Sequence, residues 1–314
     1  MRNVKSKMIA AAVGVLTLAA CSSEESLSGG EAPQDVARFS ATIAGPGTRA
    51  YDQIWEANDG IGISGTSGDV AYTNVHYRTT DAGGTFTPAD ESGKIYFQDN
   101  NEVTFTAYYP WNELQGGSTA ITADTREQAN RKTFDFLWAQ AKGSKASPNV
   151  QFQFAHKMAK VVLTIKQGDD VDYDEVKAAV LKLEGFRPEG TFDVTNGTTA
   201  TTGDALSSPW TFSDSALKKE NAEEGTVSYT LILFPQTFDA ALPFTAELTG
   251  KQSFKADLNF TNANAEKDGE HARNEWVAGR QYNMGIVLNK TGIEVEGCTI
   301  TKWEEVNGGD VDAQ

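Results

Sequence analysis

The chain has 314 residues, a formal net charge of −16 and 39% hydrophobic residues, values that suit a folded, acidic protein of one or two domains. An acidic surface repels phosphate backbones, so we expect no nucleic-acid partner. Two cysteines, Cys21 and Cys298, are too few for a disulfide framework. The three histidines lie far apart in the sequence, which argues against a zinc site.

Residues 1–20 have the pattern of a secretion signal. A basic start precedes the apolar run Met8–Ala20, which is too short to span a bilayer and fits a signal-peptide core. The run ends Leu18-Ala19-Ala20-Cys21, which resembles the bacterial lipobox. We therefore predict a lipoprotein signal peptide over 1–20, cleavage between Ala20 and Cys21, and lipidation of Cys21 as an anchor in the outer membrane.

Residues 21–37 are polar and acidic without periodicity, and we predict a flexible leash there. Its start, Ser22-Ser23-Glu24-Glu25, resembles the signal that exports Bacteroidales lipoproteins to the cell surface. The alternative is an ordinary acidic linker. A lipid anchor followed by a leash is an arrangement typical of a protein held at a membrane surface.

The next stretch predicts a strand followed by an exposed loop. Phe39, Ala41 and Ile43 alternate with polar or small residues over Arg38–Ile43, the period-two pattern of a strand with one buried face. Gly45-Pro46-Gly47 breaks the strand, and Arg49 follows in a loop of the kind that proteases prefer. Two interpretations stay open: proteolysis at Arg49–Ala50 that detaches the strand, or an ordinary first strand and loop.

The remainder consists of short apolar–polar alternations separated by turn residues, which predicts an all-β fold. The Gly-, Ser- and Lys-rich stretch Lys142–Asn149 is the best candidate for a linker. It divides the chain into an N-terminal β-sandwich domain over 38–147 and a C-terminal one over 148–306, followed by a disordered tail over 307–314. Two pairs of similar strands recur at offsets of 122 and 124 residues, which favours a tandem arrangement.

No motif for catalysis is present. A Gly-rich phosphate loop, an HExxH pair and a nucleophile elbow are absent from the sequence. Asp170–Asp174 begins like a calcium loop, but Glu175 and Leu181 stand where that loop needs glycine and a bidentate glutamate. We therefore expect no catalytic residue, no metal site and no cofactor. His156 is interpreted as a packed or edge residue, Cys298 as a small apolar residue, and the tryptophans at 111, 138, 210, 276 and 303 as core or corner residues.

Seven motifs follow one another along nearly the whole chain: the lipobox at Cys21, the first strand with Thr48-Arg49-Ala50, Phe105–Trp111, Phe154–Val161, Leu231–Gln236, Trp276–Tyr282 and Ile300–Trp303. In this order they resemble the fimbrillin (Mfa-like) family of Bacteroidales, whose members are subunits of type V pili.

The resemblance implies two tandem transthyretin-like β-sandwich domains. It also implies that an arginine-specific protease cuts between Arg49 and Ala50 and that the first strand, Arg38, Phe39, Ser40, Ala41, Thr42 and Ile43, is then displaced. A strand from another pilus subunit would fill the opened groove, because a strand satisfies both the exposed backbone groups and the apolar pockets.

The predicted function is that of a surface lipoprotein of the fimbrium that contributes to adhesion, with a host or bacterial surface ligand as a further partner. Residues 304–314 show no apolar alternation that could fill a groove, which favours a tip or accessory subunit. The alternative is a glycan-binding surface lipoprotein of a polysaccharide-uptake system that does not polymerise. A removable first strand would support the fimbrial subunit, and an exposed row of aromatic side chains would support the glycan binder.

Overall fold

The computed structural model describes residues 35–44, 55–80, 82–212, 217–248, 250, 253–261 and 273–303. Within these ranges nearly all regular structure is β, which confirms the all-β prediction. The helical segments described are one short α-helix, α1 (Tyr173–Ala178), and three 3₁₀ turns at Glu91–Gly93, Gln115–Gly117 and Gln128–Thr133. The acidic run Asp170–Asp174 leads into α1, where the Glu175 carboxylate accepts a hydrogen bond from the Asp172 amide at 3.0 Å.

Seven strands of the first half close into a barrel. Their order around it is β1-β4-β3-β2-β5-β7-β8, and one further strand, β6, lies outside it. The core contains Phe39, Phe105 and Phe152 from strands whose alternate residues point inward. The strands are β1 (Arg38–Ile43), β2 (Gly60–Ser67), β3 (Val70–Thr79), β4 (Thr85–Pro88), β5 (Val103–Tyr109), β6 (Ala120–Asp124), β7 (Leu137–Gly143) and β8 (Asn149–His156).

The second half has two larger sheets that share one core, the arrangement of a β-sandwich. One sheet has the order β14-β15-β9-β20-β21 and the other the order β13-β10-β17-β18. Leu163 and Leu231 of the first sheet belong to the same buried cluster as Leu181 and Phe244 of the second. The strands are β9 (Ala159–Gln167), β10 (Val180–Leu183), β11 (Glu189–Asp193), β12 (Thr198–Thr201), β13 (Trp210–Thr211), β14 (Lys218–Asn221), β15 (Thr226–Leu233), β16 (Gln236–Thr237), β17 (Leu242–Glu247), β18 (Ser253–Leu258), β19 (Glu275–Trp276), β20 (Arg280–Asn289) and β21 (Gly292–Lys302).

The two halves are joined by shared structure. Strand β6 of the first half pairs with β11 of the second, and β12 extends this small sheet. A third buried cluster combines Phe134 and Phe136 from the first half with Phe192, Phe234 and Trp303 from the second. Accordingly, the described residues group as one compact unit.

The stretch Lys142–Asn149 is not a linker between domains, so that prediction is wrong. Strand β7 continues through Lys142 and Gly143, and Ser144 pairs with Ser147 in the hairpin that leads into β8. Strand β8 belongs to the first barrel, because it pairs with β1 and β7. The change from the first core to the second therefore falls between His156 and Ala159, further along the chain than the predicted boundary at 147/148.

Candidate functional site

The candidate site is the groove of the barrel that β1 occupies. On one side β1 runs parallel to β8, with a continuous register from Arg38 opposite Asn149 to Ile43 opposite Phe154. On the other side it runs antiparallel to β4, where Phe39 lies opposite Phe86. The bounds of β1 match those predicted from the alternation of the sequence. The strand is thus a full member of the barrel wall, hydrogen-bonded along both edges.

The inward face of β1 fills the barrel core. Ala37, Phe39 and Ala41 are each less than 5% exposed, whereas Arg38 and Thr42 point to solvent. The Phe39 ring meets Tyr77 and Phe105 edge-on at centroid distances of 5.1 and 5.3 Å. Burial of a phenylalanine in such a cluster stabilises the fold by several kcal/mol, about 3–5 as judged from truncation to alanine.

The pocket around Phe39 also contains two neighbours with distinct roles. The Phe152 ring of β8 stacks on Phe39 at 5.8 Å, which couples the two parallel strands. The Tyr77 hydroxyl accepts a hydrogen bond from the Ile95 amide at 3.2 Å, and burial raises the pKa of Tyr77 to about 12. The tyrosine is therefore neutral at physiological pH, and the pocket is an uncharged aromatic site.

Two residues outside the predicted strand hold its backbone at Ala41. The Trp55 indole donates a hydrogen bond from Nε1 to the Ala41 carbonyl at 2.9 Å, and its ring packs edge-on against Phe86 and Phe154. Gly84 has a φ of +69°, and its carbonyl accepts a hydrogen bond from the Ala41 amide at 2.8 Å. A Cβ at Gly84 would lie 2.2 Å from the Ala41 carbonyl oxygen, so only glycine allows this close approach.

The groove is longer than β1. Upstream of the strand, the Phe97 amide donates to the Asp35 carbonyl at 2.7 Å and the Ala37 amide donates to the Ile95 carbonyl at 2.9 Å. Downstream, the Ala44 amide donates to the Phe154 carbonyl at 2.7 Å. The paired segment therefore covers residues 35–44, and Asp35–Ala37, which the sequence pattern places in the leash, pair with residues 95–97 between β4 and β5.

A cleft of about 620 Å³, counting the part open to solvent, lies at the C-terminal end of β1. Ile43, Trp55 and Leu137 contribute its apolar lining. The Tyr109 hydroxyl donates a hydrogen bond to the Asp59 carboxylate at 3.2 Å, and burial raises the pKa of both groups. The cleft thus borders the point where the chain leaves β1 toward the predicted processing loop.

Other predicted site residues lie outside the described residues. These are Ala20 and Cys21 of the predicted signal cleavage and lipidation site, and Arg49 and Ala50 of the predicted protease site. The structure brings together Arg38–Ile43 with Trp55 and Gly84. No local pattern in the sequence links Trp55 or Gly84 to the strand that it holds, so neither residue is predictable as part of the site.

The remaining chemical candidates are packed in the interior. The His156 ring stacks on Trp303 at 3.8 Å, and its Nδ1 lies 3.1 Å from an Asp135 carboxylate oxygen. Cys298 is buried, and burial raises its pKa to about 12, so its thiol is protonated at physiological pH. Across the described ranges no cluster of His, Cys, Asp and Glu could hold a metal ion. In the same part of the chain, no helix is both long and apolar enough to cross a membrane.

Solved structures of two proteins from Bacteroides species share this architecture. A structure of a "putative cell adhesion protein" from Bacteroides uniformis superposes with a TM-score of 0.67 and 26% identity, covering 85% of this chain and 98% of its own. A second, from Bacteroides ovatus, gives a TM-score of 0.69 at 23% identity over 85% of this chain and 97% of its own, a likeness of fold.

The sequence comparisons define the family. The fimbrillin-like family model matches residues 48–303. A Bacteroides uniformis protein named "Putative fimbrium subunit Fim1C" is 31% identical over 318 residues, covering 97% of both chains. The chain therefore belongs to the fimbrillin-like family, which confirms the resemblance predicted from its motifs. The names of these relatives describe a fimbrium subunit and a cell adhesion protein.

Proposed function

We propose that this protein is a surface lipoprotein that joins the fimbrium by exchange of its first strand. In this proposal the chain is anchored through Cys21, an arginine-specific protease cuts between Arg49 and Ala50, and β1 then leaves its groove. A strand from another subunit takes its place. The cut would also separate the body from the lipid anchor, because Cys21 lies on the same side of Arg49 as β1.

The observation that supports this proposal most directly is the position of β1 within the barrel. It is hydrogen-bonded on both edges, yet in sequence it is the first strand of the described body and is joined to Trp55 only through residues 45–54. One cut in that connection makes a complete wall strand into a separate peptide. The groove it leaves would expose backbone donors and acceptors beside an aromatic pocket, which another strand can satisfy.

The tip or accessory role is part of the proposal and stays a prediction from the sequence. It is tested by locating the protein along isolated fimbriae with labelled antibodies. Labelling confined to fimbrial ends or sparse along the shaft fits this role, whereas continuous labelling of the shaft would contradict it.

The rival function as a glycan binder has less support. Sugar-binding surfaces commonly use exposed aromatic side chains, but the exposed large hydrophobic side chains among the described residues are Val70 and Tyr96. The tryptophans at 111, 138 and 210 are half-buried, and Trp276 and Trp303 are buried. The row of exposed aromatics expected for the rival is therefore absent from the described surface.

The deciding experiment compares wild-type protein with Arg49→Ala in the producing bacterium. Sheared fimbriae and outer membranes are separated, and the protein in each is quantified by immunoblot and N-terminal sequencing. We expect wild-type protein in fimbriae with Ala50 as its first residue, and Arg49→Ala protein in the membrane with its strand still attached.

Arg49→Lys is the matched control, since it keeps the positive charge but is not a substrate for an arginine-specific protease. Trypsin cuts after lysine, so adding trypsin to these cells should restore the transfer to fimbriae. Equal amounts of wild-type and Arg49→Ala protein in the fimbrial fraction would rule out the processing mechanism.

A further inference from the structure

The groove around β1 has features that discriminate among strands. Its inward positions alternate in size: Ala37 is small, Phe39 is large and Ala41 is small, and all three are nearly completely buried. The outward positions, Arg38 and Thr42, are exposed. A strand that occupies this groove is therefore constrained on one face and nearly unconstrained on the other.

The central pocket fits an aromatic ring. Tyr77, Phe105 and Phe152 surround Phe39 at centroid distances between 5.1 and 5.8 Å, in edge-on and stacked arrangements. These are the geometries that aromatic pairs prefer. A smaller side chain at this register would leave a cavity lined by three rings, and a charged one would lack a partner.

The next inward position fits only a small residue. Trp55, which binds the Ala41 carbonyl, packs against Phe86 and Phe154 at ring-centroid distances of 5.0 and 5.4 Å, and Ala41 itself is 4% exposed. The Gly84 backbone approaches the Ala41 carbonyl from the side of β4. A larger side chain at this register would have to displace rings that fill the space.

Trp55 holds the backbone of the strand at one point. Its Nε1 donates to the carbonyl of residue 41, a backbone group that every strand carries. Trp55 lies after the proposed cut at Arg49, so it stays with the body when β1 leaves. The same indole can then bind the corresponding carbonyl of an incoming strand.

From these contacts we infer that the groove selects a partner strand of the pattern small–x–aromatic–x–small, running parallel to β8, and that Trp55 binds its backbone at the second small residue. This inference rests on the proposed strand exchange and adds the chemistry of the partner to it. The partner's aromatic takes the place of Phe39, and its second small residue takes that of Ala41. The outward residues of the partner strand are free to vary.

The test uses the full-length protein with a recognition site for a sequence-specific protease placed within residues 45–54. The cut then does not depend on whether Arg49 is the natural site. After cleavage, a fluorescein-labelled peptide of residues 35–44 is added in excess, and its incorporation is measured by fluorescence anisotropy and non-denaturing gel. The peptide variants carry Phe39→Ala, Ala41→Leu or Thr42→Leu.

We expect the wild-type peptide to enter the groove, and the Phe39→Ala and Ala41→Leu peptides to bind at least about 10-fold more weakly, since each disrupts a buried anchor. Thr42→Leu adds similar bulk on the exposed face, and its affinity should stay within about 2-fold of that of wild type. In the protein, Trp55→Phe should weaken wild-type peptide binding about 5-fold through loss of one hydrogen bond. Trp210→Phe, a substitution in the second half, should not.

The outcomes separate this inference from the proposed function. Equal binding of the wild-type, Phe39→Ala and Ala41→Leu peptides would overturn the selectivity while leaving strand exchange intact. Failure of every peptide to enter the cleaved protein, wild type included, would overturn strand exchange and the inference together. Unchanged binding to Trp55→Phe protein would remove Trp55 as a residue that binds the incoming strand.

Discussion

Phe39 is the largest buried side chain of β1. Its side chain is 2% exposed and meets three aromatic rings contributed by β3, β5 and β8. One residue thus connects the strand with elements distributed around the barrel. Thr42, on the same strand, is exposed and lacks this role.

Phe39→Ala is expected to lower the free energy of unfolding of the uncleaved protein by about 3–5 kcal/mol, through loss of burial and formation of a cavity. Thr42→Ala should change it by less than about 0.5 kcal/mol. Urea denaturation followed by circular dichroism measures both. A Phe39→Ala protein as stable as Thr42→Ala would contradict the role of β1 in the core.

Cysteine chemistry gives a second prediction for single residues. Cys21→Ser should abolish lipidation and release the protein from the outer membrane, because a hydroxyl does not replace the acceptor thiol. Cys298→Ala is the matched control: Cys298 is a buried thiol whose pKa is raised by burial, and its removal should leave lipidation intact. Membrane fractionation and mass spectrometry distinguish the variants. Mature Cys21→Ser protein in the outer-membrane fraction would refute the anchor.

At the scale of elements, Gly84 controls how closely β4 approaches β1. Gly84→Ala combines a positive φ with a Cβ 2.2 Å from the Ala41 carbonyl oxygen. Gly116 also has a positive φ, of +62°, but a Cβ there would meet nothing within 4 Å. Both alanine variants carry the backbone strain of an L-residue at positive φ, about 1–2 kcal/mol, but only Gly84→Ala adds crowding against β1. Comparing the two variants therefore isolates the effect of crowding.

We expect Gly84→Ala to be clearly less stable than Gly116→Ala in thermal unfolding monitored by circular dichroism. After cleavage within 45–54, β1 should also leave Gly84→Ala protein faster than wild type, as measured by release of a label on the strand. Equal stability and equal release for the two alanine variants would mean that β1 does not need the close approach at Gly84.

A structural element is predictable from the sequence where neighbouring residues alone determine it. Alternation located β1 with the bounds that the structure has. Alternation says nothing about a strand's neighbours, so the parallel pairing of β1 with β8 was not predictable. The Gly-, Ser- and Lys-rich stretch before β8 was mistaken for a linker because hairpin tips and linkers share that composition.

The candidate site shows the same division. Phe39 and Ala41 followed from the strand pattern, which assigned their side chains to the buried face. Trp55 contacts the Ala41 carbonyl across the connection 45–54, and its hydrogen bond has no counterpart in local periodicity. Contacts between segments distant in sequence are set by the tertiary fold, and they cannot be inferred from the local pattern of a single sequence.

At the scale of the whole molecule, the two halves have separate cores but a shared boundary. We propose two domains whose boundary lies at residues 157–158, in place of the boundary at 147/148 predicted from the sequence. The sheet that joins β6 to β11 and the cluster containing Phe136 and Phe192, whose rings stack at 4.5 Å, cross this boundary. Arg126 adds an ion pair to Glu189 at 2.8 Å.

Gln128 connects the halves most specifically. It is 2% exposed; its Nε2 donates to the Ile232 carbonyl at 2.7 Å, and its Oε1 accepts from the Ile232 amide at 3.0 Å. Strand β14 pairs with β15 only as far as Tyr229. Beyond that residue, the Gln128 side chain binds the edge of β15 in place of a neighbouring strand. The amide thereby satisfies two backbone groups that would otherwise be buried without partners.

Gln128→Ala should therefore lower the free energy of unfolding by about 2–4 kcal/mol, because each orphaned backbone group costs about 1–3 kcal/mol. We also expect the unfolding of the halves to separate, so that tryptophan fluorescence and far-UV circular dichroism no longer give coincident urea transitions, as they should for wild type. Glu127→Ala, at the exposed neighbouring residue, is the control and should leave both transitions unchanged. Coincident transitions at the wild-type midpoint in Gln128→Ala would show that the halves are held together without this contact.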